Sequence, residues 1–291
     1  MTHPRLLRYA GQSRKTLARN ADHGFAADYA LCLYGAGAVY SFIPKNACST
    51  MRVSLALANG AIRDIDQWTW IHHNNPTFRA DLRALASADF TFVILRCPHA
   101  RLASVFLDKI VGRNHEYWHL FRALDDQIDP DRFSFRDFVA FLAGTDQDAD
   151  DGANEPGLKL NEHWRPQVDF LVYEDYDAWY AVERMGQAAA DLAARTGLDL
   201  VDARPLTRHG TDRFAPLAAP EPGGAAFADM SLTQLATLQA AGHSPSHAAL
   251  YDDALIAKVG DIYAEDLALY GARIGPDTLT FPHAYDSSKE I

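Results

Sequence analysis

Apolar and polar positions along this chain fall into blocks whose period shifts between strand-like runs and helical stripes. Residues 38–43 form a short, mostly apolar run that ends in Pro44-Lys45. A string of small polar residues follows, and then Met51, Val53, Leu55, Ala56 and Leu57 recur at helical spacing until Asn59-Gly60 supplies a stop signal. Residues 90–95 are a continuous apolar and β-branched run, the mark of a strand buried on both faces of a parallel sheet. Arg96 stands at its carboxyl end. Pro98 then opens a helix whose Leu102, Val105, Phe106 and Ile110 line one stripe. Strand, polar turn and helix, twice over, predict an α/β fold with a central parallel sheet flanked by helices.

The same reading extends along the chain. Asn74-Asn75-Pro76 predicts an N-cap and first turn for a helix over about 76–87, and helices are expected around 118–124 and 135–142. Residues 144–157, rich in Asp, Gly and Ala, read as a loop. Residues 168–173 read as another buried strand, and 177–196 as a helix closed by Gly197. A long loop with several prolines covers 203–227, and two helices, 231–241 and 248–270, finish the chain. No internal repeat or heptad emerges. Residues 1–37 form a lead-in with one helix, and 38–291 a single domain.

The turn at Lys45 has the chemistry of an anion cradle. Backbone N–H groups at a helix start point at a ligand, small side chains let a phosphate approach, and one lysine supplies charge. The lysine precedes the small residues, so the loop departs from GxxxxGK[ST] and counts against a kinase of that type. At the second segment, Arg96, Arg101 and Ser104 suit another phosphate group. Each segment alone also fits a blander role: an N-capped helix with a surface lysine, or an arginine ending a strand before a helix that tolerates a serine.

The two segments together resemble the sulfotransferase family that uses 3′-phosphoadenosine-5′-phosphosulfate (PAPS). SFIPKNACSTMR is similar to its PKxxxST-like phosphosulfate loop. LRCPHARLASVFLDKI is similar to the VRxPxERLxSAYxDK segment of the carbohydrate branch, the chondroitin 4-O and heparan 2-O types, and of their soluble bacterial relatives. NEHWRPQVDFLVYEDYD (161–177) and VGDIYAEDLALYG (259–271) resemble that branch's EHWxPQ segment and its IYxxDxxxFGY closing helix. The resemblance implies a P-loop-like three-layer fold and transfer of a sulfonate group to a hydroxyl of a carbohydrate, a glycoconjugate or another small acceptor. A non-catalytic PAPS-binding module of the same fold is the alternative.

Carried over by position, the resemblance implies that Lys45 contacts the bridging and leaving oxygens of the donor. Asn46, Ala47 and Cys48 offer backbone N–H groups, Ser49 and Thr50 hold the 5′-phosphate, and Arg96 with Ser104 binds the 3′-phosphate. Many relatives carry glycine in place of Ala47 and a hydroxyl residue in place of Cys48. The region about 113–160 is implied to be an insertion on the acceptor side. Arg208, His209 and Arg213 are further donor-site candidates, in a loop that closes over the nucleotide in many relatives.

Sulfuryl transfer asks for a base, and histidine is the usual one near neutral pH. The chain has 12 histidines, so composition selects none. His72 and His73 lie between the two phosphate segments, where relatives place a catalytic histidine, and are the candidates together with Lys45. His163 is the rival base and, with Trp164 as a stacking platform, a candidate for the substrate side. His115 and His119 have a spacing that would suit a metal, but no third ligand of matching spacing accompanies them, and no metal is expected.

Composition refines this picture. An apolar share of 48% over 291 residues argues for a folded core. The net charge of −11 disfavours nucleic acid and highly sulfated polymers as non-specific partners. Three cysteines make no disulfide framework. The basic N-terminal stretch has no sustained apolar segment, so no membrane anchor is expected; with the resemblance, this points to a cytoplasmic, bacterial enzyme. Oligomeric state, including a homo-oligomer, stays open.

Overall fold

The computed structural model describes residues 5–11, 15–124, 128–129, 131–144, 157–206 and 213–285. The chain divides into two compact units. Met1–Arg96 with Gln167–Arg208 makes the first, and Cys97–Pro166 with His209–Ile291 the second.

In chain order, the first unit opens with α1 (Ala21–Asp28), whose Asn20 cap accepts from the N–H groups of Asp22 and His23. Strand β1 (Ala30–Leu33) runs antiparallel to β2 (Ala38–Ser41), pairing Ala30 with Ser41 and Leu33 with Ala38. The turn between them needs Gly37 at φ 57°, a left-handed conformation costly to most other residues. Helix α2 (Cys48–Ala58) follows the Lys45 turn. Two 3₁₀ segments, Ile65–His72 and Asn75–Phe78, lead to α3 (Leu82–Ser87) and then to β3 (Phe90–Leu95), parallel to β2.

The chain then enters the second unit. It builds α4 (Pro98–Val105), which runs on into a π-helical turn at Phe106–Ile110, then α5 (His115–Ala123) and α6 (Phe135–Gly144). On return to the first unit, a 3₁₀ turn at Gln167–Phe170 precedes β4 (Ala178–Ala181), parallel to β3, and α7 (Met185–Thr196), closed by Gly197 at φ 69°. The final stretch of the second unit holds β5 (Ala215–Leu217) paired in parallel with β6 (His243–Pro245). Its helices are α8 (Leu232–Ala240), started by a capping box of Ser231 and Gln234, then α9 (Asp253–Ile262) and α10 (Ala264–Arg273).

The sheet order β1-β2-β3-β4 has a parallel centre and an antiparallel edge supplied by the lead-in, within a mixed α/β architecture. The fold class expected from the sequence holds. The continuous apolar runs have a direct cause: every residue of β2, and all of β3 beyond Phe90, is buried. Tyr40 of β2 stacks on Phe92 of β3 with ring centres 5.0 Å apart, among Met51, Leu55 and Ile94. The second unit has its own core, around Phe106, Phe135, Phe138 and Trp164. No helix among the described residues is long and apolar enough to cross a membrane.

Several elements depart from expectation. The helix over 76–87 is broken, because Arg79 and Ala80 give their backbone to the edge of β1: Arg79 bridges Leu31 and the Ala80 N–H donates to Ala30 O at 2.8 Å. Asp81 then caps the shorter α3, accepting from Ala84 N at 2.7 Å. The apolar run 168–173 is a 3₁₀ turn and irregular chain. Its burial comes from side-chain packing, with Phe170 edge-on to Phe25 and Tyr29, and apolar content alone does not separate a strand from a buried turn. The strand lies later, at β4, and the helix expected from 177 begins at Met185. The helix expected over 248–270 is two helices meeting at Tyr263, whose hydroxyl donates to Trp164 O at 2.6 Å. The loop 203–227 contains β5. Most of the loop expected at 144–157, and residues 207–212 of the later one, lie outside the described residues.

Candidate active site

Lys45 and Ala47 both adopt left-handed backbone, at φ 70° and 55°, on either side of Asn46. Such residues cost ~1–3 kcal/mol each and persist only where the surroundings over-determine them. Here the restraints are explicit. Asn46 N–H donates to Ile43 O at 3.1 Å, and its Nδ2 donates to Ile94 O at 2.9 Å and to Gln167 Oε1 at 2.6 Å. Arg96 Nη1 donates to Lys45 O at 2.9 Å. Met51 N–H closes the first turn of α2 on Ala47 O. Left-handed backbone just before a helix start turns N–H groups into an anion-binding concavity, and the half-buried Ala47, Cys48, Ser49 and Thr50 leave small side chains beside it.

This cradle fits the phosphosulfate end of the expected donor because Lys45 and Arg96 bring cationic side chains to one backbone turn of small residues. Thr50 Oγ1 accepts from Ala203 N at 3.4 Å, which leaves its proton available to another acceptor. Cys48, the first residue of α2, is only partly buried, while Cys32 and Cys97 are fully buried.

His72 ends the 3₁₀ segment Ile65–His72 and His73 caps it. Both are exposed, and the His72 ring meets Trp68 edge-on at 5.3 Å. This segment is tied to α2 by Arg52, whose guanidinium donates to the carbonyl of Ile71 and lies over the Phe42 ring at 5.4 Å. Burial pushes the Arg52 guanidinium below its usual range, opposed by Cys48, Tyr40 and Tyr29. The same burial holds the Tyr40 phenol well above its ordinary value.

The remaining described candidates lie in the second unit. Ser104 is 4% exposed on α4. Arg101, one turn earlier, directs its guanidinium to the carbonyls of Arg165 at 2.7 Å and Glu162 at 3.2 Å, so it braces the 161–166 segment. Trp164 is 0% exposed, packs edge-on to Phe138 and donates Nε1–H to Gly157 O at 2.8 Å. It is a core residue in this unit, and the expected open stacking platform is corrected to a packing role. His163 pairs with Asn161 Oδ1 at 2.9 Å and faces Glu116 Oε1 at 3.3 Å, with Lys109 3.4 Å from the same oxygen. His115 and His119 pack ring to ring at 4.2 Å, and no cluster of three or more metal-ligating side chains occurs among the described residues. Arg213 is exposed and lies over Phe214, while Arg208 and His209 fall outside the described residues.

Sequence reasoning singled out neither Gln167 nor Arg52. The Pro166-Gln167 pair was visible as part of the EHWxPQ-like segment, without a role. Arg52 carried no signal, because its partner is a backbone carbonyl.

Fold and cradle together define an α/β protein with a left-handed, lysine-bearing turn at a helix start. Residues 36–271 match the model of the sulfotransferase family, and the chain belongs to that family. Over 183 residues it is 27% identical to carbohydrate sulfotransferase 14 of Danio rerio, covering 51% of this chain and 46% of that protein. The chain thus spans about half the length of this curated relative. No solved structure matches it.

Proposed function

We propose that this protein transfers the sulfonate group of PAPS to a hydroxyl of a carbohydrate or glycoconjugate. The observation that carries the reading is the left-handed Lys45–Ala47 turn at the start of α2, clamped by Arg96 in a chain of the sulfotransferase family. Lys45 neutralises charge that builds on the bridging oxygen. The N–H groups of Ala47 and Cys48, with the hydroxyls of Ser49 and Thr50, hold the 5′-phosphate; the Asn46 N–H is not among them, because it closes the turn on Ile43 O. Arg96 reads the 3′-phosphate through its guanidinium.

Of the histidines, His72 and His73 belong to the same unit as this cradle and are open to solvent, so one of them takes the acceptor proton. The acceptor oxygen forms the new O–S bond while the S–O bond to the 5′-phosphate breaks. The electron pair leaves with 3′-phosphoadenosine-5′-phosphate (PAP), and the proton stays on the histidine. Catalysis in such a transfer is positioning and charge stabilisation. The carbohydrate acceptor is supported by the likeness to carbohydrate sulfotransferase 14.

The test is a two-part assay. Calorimetry measures PAP binding, and labelled PAPS is incubated with pools of sugars, glycolipids and small alcohols while mass spectrometry follows the gain of one sulfonate. PAP binding with sulfonation of a sugar hydroxyl is expected. Absence of PAP binding rules out the donor; binding with sulfonation of a non-sugar alcohol alone rules out the carbohydrate acceptor.

A further inference from the structure

Gln167 is 1% exposed and opens the 3₁₀ turn at the point where the chain re-enters the first unit. Its Oε1 accepts from Asn46 Nδ2 at 2.6 Å and from the backbone N–H of Arg96 at 3.0 Å. Its Nε2 donates to the backbone carbonyl of Arg96 at 2.9 Å. One planar amide therefore grips both main-chain groups of Arg96 and, with its oxygen, the side chain at the centre of the Lys45 turn. Only a primary amide offers acceptor and donor together in that arrangement. A carboxylate cannot donate to the Arg96 carbonyl, and an apolar residue would remove all three of these bonds.

From this geometry we infer that Gln167 is a positioning residue of the donor site. It sets the register between the Lys45–Asn46–Ala47 turn and Arg96, and so the spacing at which the two phosphates of the donor are read. The inference rests on the donor reading above. Asn46 shares the joint from the other side, since the amide that reaches Gln167 also donates to Ile94 O, next but one before Arg96. A register fixed by hydrogen bonds between two turns predicts coupling: loosening the joint removes the benefit of the second phosphate more than it weakens binding of the first.

The experiment uses the full chain and calorimetry with two probes, PAP and adenosine 5′-monophosphate. Their affinity ratio reports what the 3′-phosphate adds. Gln167→Ala is expected to lower that ratio at least about tenfold. Gln167→Glu, of the same shape, is expected to lower it as well and serves if the alanine variant does not fold. A role in folding alone would lower the unfolding temperature and leave the ratio in the folded fraction unchanged. In an Arg96→Ala background, Gln167→Ala should change the ratio less than about threefold, because the partner it positions is gone. A ratio within about twofold of wild type in both Gln167 variants, or full additivity with Arg96→Ala, overturns the inference while the donor reading stands. Wild-type protein that binds neither probe overturns the donor reading and the inference with it.

Discussion

The Arg96 guanidinium donates to the backbone carbonyl of Lys45 at 2.9 Å, so the arginine at the end of β3 also braces the turn that carries the lysine. Arg96→Ala should therefore weaken both PAP and adenosine 5′-phosphosulfate, and PAP more. A loss of about 10²-fold for PAP against tenfold or less for the other ligand is expected from removing a charge-assisted contact as well as a brace. Equal losses for both, measured by calorimetry, would remove Arg96 from 3′-phosphate recognition.

His72 and His73 should separate by turnover. One of the two alanine variants is expected to keep PAP affinity within about threefold while sulfonate transfer falls about 10²–10⁴-fold. Arg52→Gln, which releases the Ile71 carbonyl next to His72, should lower turnover about tenfold at nearly constant PAP affinity. Full activity in both histidine variants would move the base elsewhere.

Cys48 gives a chemical footprint of the cradle. It is the one cysteine of the three that is not buried, so iodoacetamide should label it first in the native protein. Saturating PAP should slow that labelling at least about tenfold, because the ligand covers the start of α2. Labelling at an unchanged rate with PAP bound, read by peptide mass spectrometry, would place the ligand away from this helix.

Trp164 should behave as a core residue. Trp164→Ala is expected to cost about 3–5 kcal/mol of unfolding free energy, measured in urea, from lost burial and the lost bond to Gly157 O. An unchanged stability with a raised acceptor KM would restore the stacking role that the sequence suggested.

His99 makes stability depend on pH. It is 1% exposed, pairs through Nε2 with Ile256 O at 3.0 Å and packs against Tyr251 and Phe281. Burial holds its pKa below the usual histidine value, against the opposing effect of the Ile256 bond. The folded protein thus keeps His99 neutral at pH values where the unfolded chain binds a proton. Its contribution is complete above about pH 6.5 and is lost as pH falls below it, by up to about 1.4 kcal/mol per pH unit. His23, also held low by burial, acts in the same direction. Unfolding of His99→Gln between pH 7.5 and 5.5 should show a shallower slope than wild type, and an equal slope would contradict the assignment.

Legibility in the sequence followed the locality of the cause. Strand β3 was readable residue for residue, because burial on both faces leaves an uninterrupted apolar run with Arg96 as its edge. The α2 stripe and its stop at Asn59 were readable for a similar reason, as was Gly197 at the end of α7. Strand β4 was missed because AWYA is four residues long and follows a more apolar stretch that only side-chain packing explains. The break at Arg79 was invisible, since the bonds that end the helix come from β1, far away in sequence.

The amino-acid order by itself determined the chemistry of the cradle: a lysine, a run of small residues and a helix start, all within one turn of chain and governed by local backbone geometry. It also determined the α/β class, which follows from the period of the apolar positions. Only the tertiary structure decided that Gln167 joins Asn46 to Arg96, that Arg52 holds Ile71 and that Trp164 lies in a core. Those partners are backbone groups or side chains distant in sequence, and a residue's own identity carries no record of which distant carbonyl it will meet.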